Sequence, residues 1–197
     1  MPAETVMTEN VSLKAKVCLL GEPNVGKTSL IRRYVQDEFD DHYLVTVGTK
    51  VSKKEIQVPV PAKDLLVDVD MMVWDIMGQR EFRDLLAETY FEGAQGILAV
   101  ADVTRQSTFS ALYGWIDSVD RVVSQVPVLI ALNKADLAKT AYFGEAAAEY
   151  LAEAFGGEYL ITSAKTGANV EKAFGRLAAM VVERQLRDGR TPEGLSR

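Results

Sequence analysis

Cysteine, histidine and long apolar runs are all scarce in this chain of 197 residues. Cys18 is its one cysteine and His42 its one histidine, so neither an intrachain disulfide nor a structural zinc site of the Cys/His type can form. No apolar run reaches the ~18 residues that cross a bilayer, and the first residues lack the pattern of a secretory signal. These absences predict a cytoplasmic protein in which Cys18 is a core side chain and His42 a solvated loop residue.

An excess of positive charge is also missing. Lys and Arg number 22 against 28 Asp and Glu, which gives a net charge of −6. Because nucleic-acid binding depends on cationic contacts to phosphates, we expect no nucleic-acid partner. Position 2 is Pro rather than Gly and residues 194–197 contain no Cys, so we expect no direct lipid anchor and membrane recruitment only through partners.

The sequence does contain a regular succession of strand and helix patterns. Short apolar runs or apolar/polar alternation predict six strands, at residues 15–20, 47–58, 67–75, 96–101, 126–132 and 159–162. Helical spacing of apolar residues predicts helices at 27–35, 109–123, 142–155 and 170–182. Strands separated by helices imply a three-layer α/β fold, a mostly parallel six-stranded sheet with helices on both faces, and the early hairpin adds one antiparallel edge strand. We place the domain at 14–187, after a flexible extension at 1–13 and before an unstructured tail at 188–197.

The segment Gly21–Thr28 fits the pattern GxxxxGK[ST] and lies between a predicted strand and a predicted helix. Its glycines allow the backbone to curl so that N–H groups point into one concavity, and the helix N-terminus adds its positive dipole end. Lys27 can reach the β- and γ-phosphates of a nucleotide, and the Thr28 hydroxyl can ligate Mg²⁺. An ordinary glycine turn is the alternative. The candidate phosphate-binding residues are Gly21, Asn24, Val25, Gly26, Lys27, Thr28 and Ser29.

Two further polar segments follow later predicted strands and indicate which base is bound. Asn133-Lys134-Ala135-Asp136 ends one strand, and Ser163-Ala164-Lys165 ends the next. The Asp136 carboxylate offers two acceptors, which match the N1–H and N2–H₂ donors of guanine and would repel the lone pair at adenine N1. The stems of Lys134 and Lys165 can lie on the base and ribose, and the Ala164 N–H can donate to guanine O6. The pattern predicts a guanine site.

With these motifs in order, the chain resembles the small Ras-superfamily GTPases, most closely the Rab-like branch and its prokaryotic and archaeal relatives. The resemblance covers about residues 14–185 and implies a P-loop NTPase fold, the G domain. Trp74–Gln79 is similar to the family's Trp-Asp-Thr-Ala-Gly-Gln, and Gln79–Arg83 to its second switch. Tyr43–Gly48 resembles the first switch, which places Tyr43 among the nucleotide-binding residues.

The resemblance also implies roles for residues outside the phosphate and base motifs. Thr46 would close onto Mg²⁺ and the γ-phosphate, and Asp75 would hold the metal through water. The Gly78 N–H would touch the γ-phosphate, and Gln79 would orient the attacking water. The implied catalytic residues are then Gln79, Lys27 and Thr46, and the implied metal ligands are Thr28, Thr46 and Asp75.

The function that follows is a switch that binds and hydrolyses GTP, yielding GDP, with switch loops at about 38–48 and 76–90 that recruit protein effectors in the GTP state. An activating protein and an exchange factor are expected partners. We expect slow intrinsic hydrolysis, because no arginine is obviously placed to reach the γ-phosphate from within the chain. A guanine-nucleotide-binding module with little or no hydrolysis is the alternative, whereas the short length and negative charge disfavour a GTPase that works on RNA.

Three features depart from the family pattern. Pro23 stands where the family usually has Gly, and Met77 replaces a small residue next to Gly78. The hairpin at 46–75 looks long and contains prolines at 59 and 61, which can also be explained as an edge strand blunted by proline. Of the remaining residues, we interpret Trp115 as helix packing and Arg32–Arg33 as a solvated helix edge.

Overall fold

A computed structural model describes residues 10–40, 48–78, 88–140 and 145–189 of the chain. Its strands are β1 Asn10–Leu20, β2 Thr49–Val60, β3 Leu65–Ile76, β4 Gly96–Asp102, β5 Val128–Asn133 and β6 Glu158–Ile161. Its α-helices are α1 Lys27–Gln36, α2 Gln106–Ser110, α3 Leu112–Asp120, α4 Glu145–Ala154 and α5 Val170–Arg187, and short 3₁₀ turns lie at Pro61–Lys63 and Ala135–Thr140. No helix within these ranges is long and apolar enough to cross a membrane.

The six strands form one sheet in the order β2-β3-β1-β4-β5-β6. The β2–β3 pair is antiparallel and all the other pairs are parallel. This arrangement confirms the predicted fold class, a mostly parallel six-stranded sheet with one antiparallel edge strand. Every residue of β4 and β5 is buried, as expected for central strands that are covered on both faces.

Two apolar cores lie on opposite faces of the sheet. On one face, α1 and α5 pack together, and the rings of Tyr34 and Phe174 stack with their centroids 4.1 Å apart. On the other face, α2, α3 and α4 cover the sheet around the buried side chains of Phe91 and Trp115. Because both faces are covered, the carboxyl edge of the parallel strands is the place where a ligand can reach the backbone. Gly21, Lys134 and Thr162 each follow directly after a strand at that edge.

The early part of the sheet is longer than predicted. β1 begins at Asn10, so residues 10–13, which the sequence analysis assigned to the extension, pair with β3 instead. Buried Val11 and half-buried Leu13 alternate with exposed Ser12, a short pattern that does not stand out in sequence. β2 runs through Pro59 to Val60, which a strand can do when it lies at an edge.

The prediction of a single helix at 109–123 is wrong in detail. The structure has two shorter helices there, α2 and α3, which meet at Ala111. Their apolar residues Phe109, Leu112, Ile116 and Val119 all face the same core, so the apolar spacing runs across the junction and hides it.

Candidate functional site

The loop at 21–26 connects β1 to α1 and curls over the start of the helix. Gly26 has a φ of 99°, and a Cβ built on it would lie 2.3 Å from the Nδ2 atom of Asn133. Any other residue at this position would be strained and would push Asn133 away. The structure thus brings the loop predicted to hold phosphate against the segment predicted to hold the base.

Lys27, the first residue of α1, points back into this loop. Its side chain is only 7% exposed, and its Nζ donates to the carbonyls of Gly21 at 2.6 Å and Glu22 at 3.0 Å. Burial lowers the pKa of Lys27 to about 8, although the nearby charges of Asp75 and Glu22 favour its protonated form. Lys27 thus places a positive charge at the N-terminus of α1. The helix dipole also favours an anion at this end, so both features favour the binding of an anion here.

Thr28 and Asp75 form the next part of the site. The Thr28 hydroxyl donates to Asp75 Oδ2 at 2.6 Å, and the carboxylate is almost fully buried near the end of β3. Burial raises the pKa of Asp75, while the Thr28 hydrogen bond and the charge of Lys27 oppose that shift. Its Oδ1 atom is buried and accepts no hydrogen bond from any residue that the structure describes. A hydroxyl next to a carboxylate, one oxygen of which accepts no hydrogen bond from the described residues, is a set of oxygen ligands that suits Mg²⁺.

Gly78 lies very close to the phosphate loop. A Cβ on Gly78 would come within 2.7 Å of the Gly21 carbonyl oxygen, the Glu22 carbonyl carbon and Lys27 Nζ. Only glycine therefore allows the backbone after β3 to approach Lys27 so closely. The structure brings together Lys27, Thr28, Asp75 and Gly78, which the sequence assigned to phosphate and metal contacts.

Asn133 ties the base segments to the phosphate loop. Its buried Nδ2 donates to the Val25 carbonyl at 2.9 Å, and its Oδ1 accepts from the Ala164 N–H at 3.1 Å. One amide therefore fixes two loops that are far apart in sequence. The immediate role of Asn133 in this geometry is to hold loops in place.

Asp136 and Ser163 meet on the same edge. The Ser163 hydroxyl donates to Asp136 Oδ1 at 2.6 Å and accepts from the Thr166 N–H at 3.2 Å. Ser163 therefore orients the carboxylate of Asp136. Because Asp136 is exposed, this carboxylate remains open to a ligand.

The two lysines of the base segments have different neighbours. Lys134 has a φ of 69° and its Nζ pairs with Asp102 Oδ2 at 2.8 Å. Lys165 extends beside Phe39, with its Nζ 6.0 Å from the centre of that ring.

The structure corrects the interpretation of Arg33 as a solvated helix edge. Its guanidinium donates to the carbonyls of Ala164 and Lys165, both at 3.0 Å, and pairs with Asp37. Helix α1 therefore supports the base segment at 163–165 as well as the phosphate loop. The arginine is polar and follows another arginine, which is why the sequence alone suggested a solvent-facing residue.

Two further residues at the phosphate loop were missed. Arg105, on the loop after β4, donates from Nη2 to the Pro23 carbonyl at 3.0 Å, a contact that the sequence did not suggest. Trp115 packs in the core, as interpreted, but its Nε1 also donates to Glu22 Oε1 at 3.1 Å. Neither contact has a local signal, because each joins residues more than 80 positions apart.

Tyr43, Thr46, Gln79 and His42 lie outside the described residues, as does most of each predicted switch loop. Their assigned roles remain predictions. Over the described residues the hairpin is antiparallel, from Thr49 opposite Ile76 to Val60 opposite Leu65.

Comparison with known proteins gives two findings. A sequence model described as the Ras family matches residues 16–183. The chain is also 34% identical over 170 residues to the Ras-related protein RIC1 of Oryza sativa subsp. japonica, an alignment that covers 86% of this chain and 81% of that relative.

Proposed function

This chain belongs to the Ras family of small GTPases, and on that premise we propose that it is a Rab-like cytoplasmic switch that binds GTP with Mg²⁺ and hydrolyses it to GDP. The observation that carries the proposal is the meeting of Lys27, Thr28, Asp75 and Gly78 at one edge of the sheet, joined by Asn133 to the base segment. The loop that we propose holds phosphate is thereby joined through one side chain to the segment that we propose holds guanine.

The phosphate half of the site consists of the loop from Gly21 to Ser29. Its backbone N–H groups and the α1 N-terminus favour bound phosphate oxygens. Lys27 adds a buried positive charge, which is worth more in this setting than in water because less solvent screens it. Thr28 and Asp75, together with Thr46 by family resemblance, would hold Mg²⁺, and the metal, when bound, would neutralise charge on the phosphates.

The guanine half consists of Asn133, Lys134, Asp136 and the segment 163–165. Ser163 keeps one oxygen of Asp136 in place, and the exposed carboxylate would accept from donors on a base edge. Arg33 holds the carbonyls of Ala164 and Lys165. The Ala164 N–H donates to Asn133 Oδ1 in the structure, and we propose that guanine O6 shares this N–H when the base is bound. This pocket would reject adenine, since a lone pair would face the carboxylate.

Hydrolysis requires little covalent help from the protein, because positioning and electrostatics supply most of the catalysis of phosphoryl transfer. Gln79 would orient the attacking water and Thr46 would close over the γ-phosphate. We propose that hydrolysis is slow in the isolated protein and is accelerated by an activating protein. Loops 38–48 and 76–90 would change shape with the nucleotide, recruit effectors in the GTP state and respond to an exchange factor.

The second candidate is a module that binds guanine nucleotide without turning it over. Pro23 favours it, because a ring at this position of the phosphate loop is larger than the glycine usual in the family. Met77 supports the same view. It is larger than the residue usual in the family and directly precedes Gly78, whose backbone lies close to Lys27.

The test is to identify the nucleotide that the purified chain carries and then to time its reaction. Denaturation should release guanine nucleotide in near-stoichiometric amount. GTP loaded with Mg²⁺ should then yield phosphate slowly, at about 10⁻⁴ to 10⁻² s⁻¹, and EDTA should abolish the reaction. Bound GTP that persists without phosphate release would favour the second candidate, and adenine nucleotide in the released fraction would contradict both.

A further inference from the structure

Arg105 connects two parts of the site that are separate in sequence. It lies on the loop between β4 and α2, and its Nη2 donates to the Pro23 carbonyl at 3.0 Å. Its Nε donates to Asp102 Oδ2, also at 3.0 Å. The planar guanidinium fixes the angle between its donors, so both bonds constrain Pro23 relative to the end of β4.

Asp102 extends this connection to the base segment. The Lys134 Nζ lies 2.8 Å from the same Oδ2 atom, and Thr104 donates to Oδ1 from both its backbone N–H and its hydroxyl. Burial raises the pKa of Asp102, but the hydrogen bonds from Lys134 and Thr104 outweigh it, so the pKa lies below its usual range. Arg105 donates to the same buried carboxylate, so Asp102 is bonded to both Arg105 and Lys134.

Pro23 explains why such a connection matters here. Proline has no backbone N–H, so its carbonyl is the one backbone group at this position that can form a hydrogen bond. Its ring also fixes φ, which leaves the orientation of the next peptide as the main backbone freedom at this residue. A donor that holds the Pro23 carbonyl therefore restrains the phosphate loop at residue 23.

We propose that Arg105 is a positioning residue that ties Pro23, in the phosphate loop, to Lys134, in the base segment, through their shared partner Asp102. It thereby sets the rate at which guanine nucleotide leaves the site. The role rests on the proposed function, because it needs a nucleotide that spans both halves. Arg105 acts through Pro23 and Lys134, and it is not assigned to the chemical step.

The experiment measures the release of a fluorescent GDP analogue from the full chain, loaded with Mg²⁺ and chased with excess unlabelled GDP. Arg105→Met should release it about tenfold faster, because a hydrogen bond that involves a charged group is lost at each end of the bridge. Arg105→Lys should behave like the methionine variant, since one ammonium cannot span both acceptors with the geometry of a guanidinium. Arg121→Met is the matched control, because Arg121 is an exposed arginine paired with Asp117 and should release at the wild-type rate.

A second arm tests the shared partner. Lys134→Met and Arg105→Met both act on Asp102, so the double variant should release GDP more slowly than the product of the two single effects predicts. Single-turnover GTP cleavage by Arg105→Met should stay within about threefold of the wild-type rate, because a positioning role acts on the bound ground state.

Three outcomes would overturn the proposal. One is release by Arg105→Met within twofold of wild type, and another is full rescue by Arg105→Lys, which would mean that charge alone matters. The third is a large loss of GTP cleavage with unchanged release, which would make Arg105 a catalytic residue. A wild-type chain that binds no guanine nucleotide would refute the proposed function first, and the inference would fall with it.

Discussion

Asn133 donates from its buried Nδ2 to the backbone carbonyl of Val25 at 2.9 Å, so a residue at the end of β5 holds the phosphate loop in place. The same side chain accepts from the Ala164 N–H. Removal of its amide would leave a buried carbonyl and a buried N–H without these partners, and each such group costs more than an ordinary hydrogen bond contributes.

Asn133→Ala should therefore reduce the free energy of unfolding by about 2–4 kcal/mol. Urea unfolding in EDTA, without added nucleotide, measures this cost. Gln57→Ala is the control, since Gln57 is an exposed amide that bonds Asp68, and it should change the value by no more than about 0.5 kcal/mol. A stability of Asn133→Ala equal to that of the control would show that the loops do not depend on this amide.

Lys27→Ala should weaken binding of GDP and GTP, because it removes the buried cation at the phosphate loop. Isothermal titration in Mg²⁺ measures the affinity. Lys53→Ala is the control, because Lys53 is an exposed residue of β2 and pairs with Glu55 and Asp70 away from the site. Equal affinities in the two variants would remove Lys27 from the phosphate site.

Thr28→Asn should also lower the affinity for GDP and GTP. The loss should be larger in Mg²⁺ than in EDTA, because the substitution changes a proposed metal ligand.

Asp136→Asn should change the base preference from guanine to xanthine. The new NH₂ group would face a donor on guanine, whereas xanthine carries an oxygen in place of the 2-amino group. Sites that depend on buried hydrogen bonds discriminate by roughly 10⁴ when a partner is missing, so the change should be large in a competition between GTP and XTP. A variant that still prefers GTP would show that Asp136 does not contact the base.

Gln79→Leu should lower the rate of GTP cleavage and leave GTP affinity nearly unchanged, because the proposed role of the amide is to orient water. Single-turnover phosphate release measures the rate, and titration with a non-hydrolysable GTP analogue measures the affinity. Equal rates in the variant and the wild type would exclude Gln79 from the reaction. A parallel loss of affinity would indicate a role in binding.

Cys18 should be almost inert towards thiol reagents in the folded protein. Its side chain is fully buried in β1, and burial raises the pKa of its thiol to about 12, so little thiolate forms at pH 8. Reaction with a chromogenic disulfide should be at least about a hundredfold slower than in urea, since the thiol must wait for local opening. Rapid modification of the native protein would show that β1 opens readily at this position.

The sequence predicted the sheet and the main motifs because these depend on local order. A strand and a glycine loop directly precede the helix that begins at Lys27, and Asp136 and Ser163 come soon after later strands. Because the carboxyl ends of parallel strands lie at one edge of the sheet, these residues are expected to lie close together there. Arg33 and Arg105 could not be predicted in the same way. Each bonds a backbone carbonyl that lies 82 or more positions away, and nothing near an arginine in sequence shows which carbonyl will face it.

The start of β1 and the junction at Ala111 illustrate a different limit. At β1, strand formation at Asn10 depends on its partner Leu66, which sequence patterns near residue 10 do not contain. At Ala111, two helices share one apolar face, so the spacing that indicates a helix cannot show that the backbone is interrupted. In both cases the nearby sequence carries no signal for the boundary.

The hydrogen bond between Trp115 and Glu22 gives the molecule an optical property. The chain has two tryptophans, and each adjoins a residue of the site. Trp115 bonds Glu22 of the phosphate loop. Trp74 directly precedes Asp75, and the ammonium of Lys16 lies 4.0 Å from the centre of its ring. A rearrangement that moves Glu22 would change the surroundings of one indole, and a movement at the end of β3 would change those of the other. Intrinsic tryptophan emission should thus follow the state of the site in real time, without a label and in the unmodified chain.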